Sequence, residues 1–184
     1  MKRCEWVGND PIYLQYHDSE WGVPVYSSEL LFQHLLLDGA QAGLSWITVL
    51  KKRENYRELF HQFDPNKIAK MSDEELEKIL LNPAIIRNRL KVYGFRKNAL
   101  AYLEISKTQS FSTFLWDFVG GKPVINQWKK LADIPTSTEE SLAMSKALKK
   151  AGFTFVGTTI CYAFMQAVGM VNDHTTDCFC YSPK

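Results

Sequence analysis

Apolar positions along this chain recur at helical spacing and are broken by turn-forming residues, a pattern that predicts a mostly helical protein. SELLFQHLLLD (28–38) predicts a helix with Ser28 as N-cap and Gly39 as its stop. From Ser45, WITVLKKRENYRELFHQF puts Trp46, Val49, Leu50, Tyr56, Leu59 and Phe60 on one stripe, predicting a second helix ended by Asp64-Pro65. SDEELEKILL opens with Ser72 and Glu75 at capping-box spacing, and Asn82-Pro83 breaks that helix in turn. Residues 84–105 predict one or two helices, followed by the polar linker SKTQS. Phe111–Val119 predicts a short aromatic helix closed by GGKP. In PTSTEESLAMSKALKKAG, Ser137 and Glu140 take the cap and box positions and Gly152 the stop; a last helix is expected from about Thr158 to Val168, ending at Gly169. No internal repeat, low-complexity tract or strand pattern interrupts this reading, so the expected class is all-α.

Length and composition narrow it further. A chain of 184 residues suits one domain, 1–184, with a real core. No segment approaches the roughly 18–20 apolar residues of a membrane span, and MKRCEWVGND lacks the apolar run of a secretory signal. A cytoplasmic protein with no membrane partner is therefore expected. The net charge of +2 says little about nucleic acid. The basic residues nevertheless bunch, at Lys51, Lys52 and Arg53, at Arg87, Arg89 and Lys91, at Lys129 and Lys130, and at Lys146, Lys149 and Lys150. Solvated helix faces explain any one cluster. Several together, beside 13% aromatic residues, suit a phosphate-contacting surface.

Three constellations carry chemistry. The four cysteines do not form a disulfide framework of the kind small secreted domains use. Cys161 sits in an apolar helical run and reads as core, but Cys4 and the pair Cys178 and Cys180 occupy the chain ends. Zinc takes about four N or S ligands, and Cys4, His17, His174 and Cys178 make a Cys₂His₂ set. The last two, at i and i+4, would share one face of a helical turn; Cys180 rivals Cys178. Second, GFTFVGTTICYAFMQAVG (152–169) turns between two helices at Gly157, where the N–H groups of Thr158 and Thr159 would face outwards as in phosphate-binding helix starts; an ordinary connection is the alternative. The stretch resembles the hairpin of helix-hairpin-helix proteins, an element here spanning about 142–169, which grips DNA backbone without reading bases. Third, Trp6, Tyr13, Tyr16 and Trp21 crowd the N-terminus, and Trp46 opens a helix. YHDSEWGVP mixes rings with polar groups too densely for plain core, and a flat pocket for a planar base is the other reading.

RCEWVGNDPIYLQYHDSEWGVP, GAQAGLSWITVLKKRENYRELFHQFDP and KAGFTFVGTTICYAFMQAVGMVNDH resemble the 3-methyladenine DNA glycosylase I family, from Cys4 to about Tyr181, with residues 66–135 matching more loosely. The resemblance implies an all-α helix-hairpin-helix glycosylase fold and a structural zinc on Cys4, His17, His174 and Cys178, joining the segments 4–17 and 174–178. It further implies monofunctional hydrolysis of the bond between 3-methyladenine and its sugar. Double-stranded alkylated DNA would be the substrate, free 3-methyladenine the product, and the protein a monomer. Trp46 would stack on the base and Tyr16 bond its edge, with Trp6, Tyr13 and Trp21 shaping the pocket. Gly43 and Leu44 would fill the gap left in the duplex, and Gly157, Thr158 and Thr159 would hold backbone phosphate. Water would attack the sugar; no lysine stands out as a Schiff-base former. Asp173, downstream of the hairpin, is a weaker candidate for a direct role, and Asp18 and Glu20 would support Tyr16 and His17. At one catalytic position the chain departs from the pattern: where the family carries glutamate in LEGxQAGLSW, it reads LDGAQAGLSW, with Asp38. A carboxylate one methylene shorter predicts weakened catalysis and base affinity. Two rivals are a DNA-binding module disabled by Asp38 and a hydrolase with a catalytic zinc.

Overall fold

Asp10 accepts a hydrogen bond from the Ile12 N–H, and Pro11 takes the first helical position, where its missing N–H costs nothing; the chain therefore closes into helix α1 (Pro11–Ser19). This helix is absent from the apolar-periodicity reading because its inward positions are Tyr16 and His17, not aliphatic residues. It belongs to a computed structural model that describes residues 1–182; the last two positions of the expected 1–184 domain lie outside the described residues.

Helix α2 (Ser28–Gln41) is the spine, with Leu31, Phe32, Leu35, Leu36 and Leu37 sealed from solvent. Its cap is the Ser27 side chain rather than Ser28, and it runs past Gly39. A Cβ at Gly39 would lie 3.2 Å from Phe155 Cβ, so this glycine admits a neighbouring backbone and is not a stop signal. The single helix expected over 46–63 is three pieces: α3 (Trp46–Leu50), α4 (Arg53–Leu59) and a 3₁₀ turn, His61–Phe63. His61, Gln62 and Phe63 all adopt positive φ (52°, 58° and 61°), reversing the chain into α5 (Pro65–Ile68) while keeping Phe60 and Phe63 buried. The apolar stripe continues through the breaks, which is why periodicity alone conceals them.

Helix α6 (Asp73–Leu80) has both bonds of the expected Ser72–Glu75 capping box. Residues 84–88 are non-helical, and one helix, α7 (Arg89–Ile105), follows under an Asn88 cap. After α8 (Phe111–Trp116) and a 3₁₀ turn, Gly120 and Gly121 close the segment at positive φ. Helix α9 (Glu139–Lys150) is capped by Thr138 with Ser141, one residue later than the Ser137–Glu140 reading. A turn at Gly152 leads to α10 (Thr158–Ala167), which packs on α9 and α2. Two short strands depart from the all-α expectation: β1 (Val124–Ile125) pairs in parallel with β2 (Val171–Asn172), Val124 opposite Val171. Two residues per strand give no alternation to detect; the clip fastens the irregular segment after α8 beside the end of α10. Among the described residues no helix is long and apolar enough to cross a membrane.

Candidate functional site

The 3₁₀ turn Glu5–Val7, α1, α2, α3 and α10 meet at a cavity of about 260 Å³. Its wall brings together the six pocket residues expected from sequence, Trp6, Tyr13, Tyr16, Trp21, Asp38 and Trp46. Tyr13 and Tyr16 sit a turn apart on α1, Asp38 lies in the C-terminal half of α2, and Trp46 begins α3. The Trp6 ring meets Tyr13 at 5.1 Å and Trp21 at 5.0 Å edge-on, and Tyr16 faces Trp46 at 5.5 Å, tilted by 48°. These edge contacts fix one another's orientation and leave ring faces for a planar guest. Sequence reasoning missed Gln41, Leu131, Ile134, Ala163, Gln166 and Ala167. Ala163, Gln166 and Ala167 follow i, i+3, i+4 along α10, two alanines and a glutamine inside an apolar helical run that reads as core; Leu131 and Ile134 lie at a short 3₁₀ turn with no local signal.

Three polar atoms of the wall, Asp38 Oδ2, Trp6 Nε1 and Trp46 Nε1, are buried with no hydrogen-bond partner in the protein. Such atoms each cost about 1–3 kcal/mol, and at a cavity they mark groups kept for a ligand. Burial holds the Asp38 carboxyl well above the ordinary aspartate range, and burial followed by the nearby Asp38 charge raises Tyr16. A folded-state value raised above the unfolded one means that folding takes up a proton. Stability from Asp38 is thus complete below the unfolded pKa and is lost as pH rises from there toward the folded value. Asp38→Asn removes this slope, so its advantage in melting temperature over the parent is expected to grow from pH 4 to pH 8; parallel melting curves would contradict it.

Behind the pocket, Cys4, His17, His174 and Cys178 are all buried, with ligand atoms within 4.8 Å of one another. Cys4 Sγ and Cys178 Sγ each lie 3.6 Å from His174 Nδ1, and Cys178 Sγ lies 3.5 Å from His17 Nε2. Tetrahedral zinc with its usual bond lengths separates S from N by roughly 3.6 Å, so the four atoms fit the ion. The other ring nitrogens are engaged: His17 Nδ1 is 2.8 Å from Asp18 Oδ1, and His174 Nε2 is 3.1 Å from the Trp21 carbonyl. These partners orient each imidazole with one nitrogen toward the cluster. Asp18 is gripped by Arg3, which holds its carboxyl down to about 2. Glu20 pairs with Arg53, not Tyr16. The expected helical turn over 174–178 does not form; the chain makes a non-helical turn closed by Cys178 N–H to Thr175 O at 2.8 Å, which still aims both side chains at one point. Cys180 lies 4.0 Å from His17 Nδ1, on the far side of that ring from the cluster. Burial pushes the Cys4 thiol up to about 11 and His174 down to about 4. The imidazole is thus neutral, as a ligand must be, and a Cys4 thiolate here needs a cation beside it.

The other expected contact residues lie on the surface or near it. Gly43 (φ 78°) and Leu44 form an exposed corner between α2 and α3, beside the cavity-lining Gln41. Gly157 caps α10 with no side-chain hydrogen bond, and a Cβ there would meet nothing within 4 Å, which leaves the helix start open at Thr158 and Thr159. Lys129, Lys130, Lys146, Lys149 and Lys150 are exposed. Lys91 is not part of a phosphate surface: it is 7% exposed, its Nζ donating to two backbone carbonyls. Asp173 is fully buried and accepts from Asn126, Trp128, Tyr162 and Gln166 at 2.6–2.8 Å. With both oxygens so engaged it clamps the clip to the pocket wall and offers no free base.

The methyladenine glycosylase family model matches residues 6–181. DNA-3-methyladenine glycosylase 1 of Escherichia coli K12 is 56% identical over 182 residues, covering 98% of this chain and 97% of that one. A crystal structure of a 3-methyladenine DNA glycosylase I superposes with TM-score 0.97 at 58% identity, over 98% of this chain and 100% of the other. The Staphylococcus aureus enzyme, solved to explain 3-methyladenine recognition, does so with TM-score 0.96 at 38% identity, over 100% and 98%.

Proposed function

Because the chain belongs to the methyladenine glycosylase family, we propose that it is a monofunctional DNA-3-methyladenine glycosylase, working as one monomeric domain that opens base-excision repair by leaving an abasic site. The carrying observation is the aromatic cavity with an unpartnered, buried carboxylate in its wall.

Methylation at N3 leaves adenine cationic while joined to sugar, so the bond to be broken is already weak. The protein's work is to extract the base, recognise it, and exclude others. Extrusion costs a few kcal/mol, less for a damaged base, and one aromatic stack returns about 1–3 kcal/mol. Trp46 supplies the stack, with a further cation–π contribution from the charged purine. Tyr16 and Asp38 address its polar edge, and a cation seated beside Asp38 draws that carboxyl back to its ionised form. Leu44 and Gly43 occupy the gap in the duplex, and the α9–α10 hairpin holds backbone phosphate through the N–H groups at Gly157, Thr158 and Thr159. Water attacks the sugar carbon as the purine departs. Cys4, His17, His174 and Cys178 would hold a structural zinc, whose closed shell supplies cross-linking and no chemistry.

Metal analysis with a methyl-purine release assay tests this reading: one zinc with base release supports it, and one zinc with DNA binding alone favours the module disabled by Asp38. Metal removal that abolished chemistry and spared the fold would favour a catalytic zinc. Trp46→Ala is expected to weaken free 3-methyladenine binding by about 5- to 150-fold, the value of one stack. Unchanged affinity by fluorescence titration would remove Trp46 from the site.

A further inference from the structure

Helix α2 ends between two functions. Asp38 and Gln41, near its end, line the cavity, and past the Ala42 cap Gly43 and Leu44 form the exposed corner. The last carbonyls of a helix need partners, and here they are shared out unusually. Gly39 O accepts from Ala42 N–H at 3.2 Å, and Gln41 O from Leu44 N–H at 2.6 Å. Ala40 O and Ala42 O both accept from Lys91 Nζ, at 2.8 and 2.6 Å. A buried ammonium thus replaces the solvent that usually satisfies such carbonyls, at the negative end of the helix dipole.

Lys91 is held in turn. Its backbone N–H donates to the Asn88 cap of α7 at 3.1 Å. One turn on, Gly94 packs against the hairpin: a Cβ there would meet Thr154 Oγ1 at 3.0 Å. Asn98, a turn further, bonds the Thr154 backbone in both directions, at 2.8 and 3.1 Å. Helix α7 therefore reaches from the α9–α10 turn at one end of its buried face to the α2 corner at the other.

We propose that Lys91 is a positioning residue for base extrusion: it fixes the Gly43–Leu44 corner at a set distance from the hairpin, so that the duplex gripped by one is opened by the other. The inference rests on the glycosylase reading above and touches neither the purine nor the sugar. Trp6, Tyr13, Tyr16 and Trp21 stand on the N-terminal segment and Asp38 lies in α2 ahead of the carbonyls that Lys91 holds, so this part of the cavity wall keeps its shape when the corner loosens.

Lys91→Met keeps the stem and removes the charge. It is expected to slow single-turnover release from alkylated duplex DNA by about ten-fold or more while free 3-methyladenine affinity stays within about two-fold. A double-mutant cycle with Leu44→Ala isolates the route: if Lys91 acts through the corner, Lys91→Met costs little further once Leu44 is truncated. Base affinity falling in step with excision would make the role merely structural and overturn the proposal, as would parental excision by Lys91→Met. Leu44→Ala that is slow, with Lys91→Met fully additive to it, would overturn the proposal alone. Leu44→Ala excising at the parental rate would remove the corner from the reaction, and the proposal with it.

Discussion

Asp38→Glu is expected to release 3-methyladenine from DNA at least ten-fold faster than the parent chain, the largest gain any single substitution offers here. Asp38 is sealed in the wall, and Oδ2 has no partner in the protein. Its reach toward a bound purine is shorter than glutamate's by one methylene, roughly 1.5 Å. Hydrogen bonds of about 2.8–3.0 Å do not survive that stretch; they lapse or pass through a water. A direct bond to a charged group is worth about 1.5–3 kcal/mol, equivalent to roughly 10- to 150-fold in rate when it is made in the transition state. The shorter acid still keeps its carboxyl at the cavity, so the parent is expected to retain part of the effect through a bridging water. Single-turnover release by the two proteins on the same alkylated DNA decides it. Equal rates would show that Asp38 already reaches the base, and a parent with no release beside an active Asp38→Glu would identify a DNA-binding protein one methylene from catalysis.

Four of the six pocket residues, Trp6, Tyr13, Tyr16 and Trp21, were legible as rings mixed densely with polar groups in the first 21 residues, Trp46 as an aromatic opening a helix, and Asp38 through the resemblance alone, which also implied the roles of the others. What escaped depends on tertiary contact. Gly39 reads as a stop until Phe155 is seen against it. Lys91 reads as one of three clustered cations until its ammonium is found at the α2 carbonyls. Leu131 and Ile134 reach the cavity only because the two-residue clip and Asp173 draw their segment in. Asp173, the nearest aspartate downstream of the hairpin but at short spacing, has the surroundings of a structural residue. One signal was available: Asp10-Pro11 is a helix start in its own right, and it fixes α1 where apolar periodicity is silent. The i, i+4 spacing of His174 and Cys178 led to the right convergence through the wrong conformation, since a non-helical turn brings the same side chains together.

The Cys₂His₂ cluster carries the second large expected effect, because it lies behind the pocket and packs against two indoles of its wall. Trp21 lies 4.6 Å from the His174 ring, edge-on, and stacks over His17 at 6.2 Å; Trp6 meets His17 at 5.5 Å. Cys4 leads directly into the turn that carries Trp6, and His17 follows Tyr16 on α1. Cys4→Ser would therefore remove more than one bond: the cross-link between the chain ends and the support of two indoles go together. Structural zinc contributes on the order of 10–16 kcal/mol in peptide sites, and losing one of four ligands forfeits a sizeable share. A loss of several kcal/mol in a chain of this size lowers Tm by on the order of 10 °C or more. The parent is expected to hold one zinc per chain and Cys4→Ser substantially less, with weaker 3-methyladenine binding at temperatures where the variant is still folded. Cys180→Ser is expected to keep metal and Tm, because its sulfur faces the nitrogen of His17 turned toward Asp18 and away from the cluster. If Cys4→Ser melted with the parent, or if Cys180→Ser lost the metal instead, the ligand set and the support it gives the pocket would both have to be redrawn.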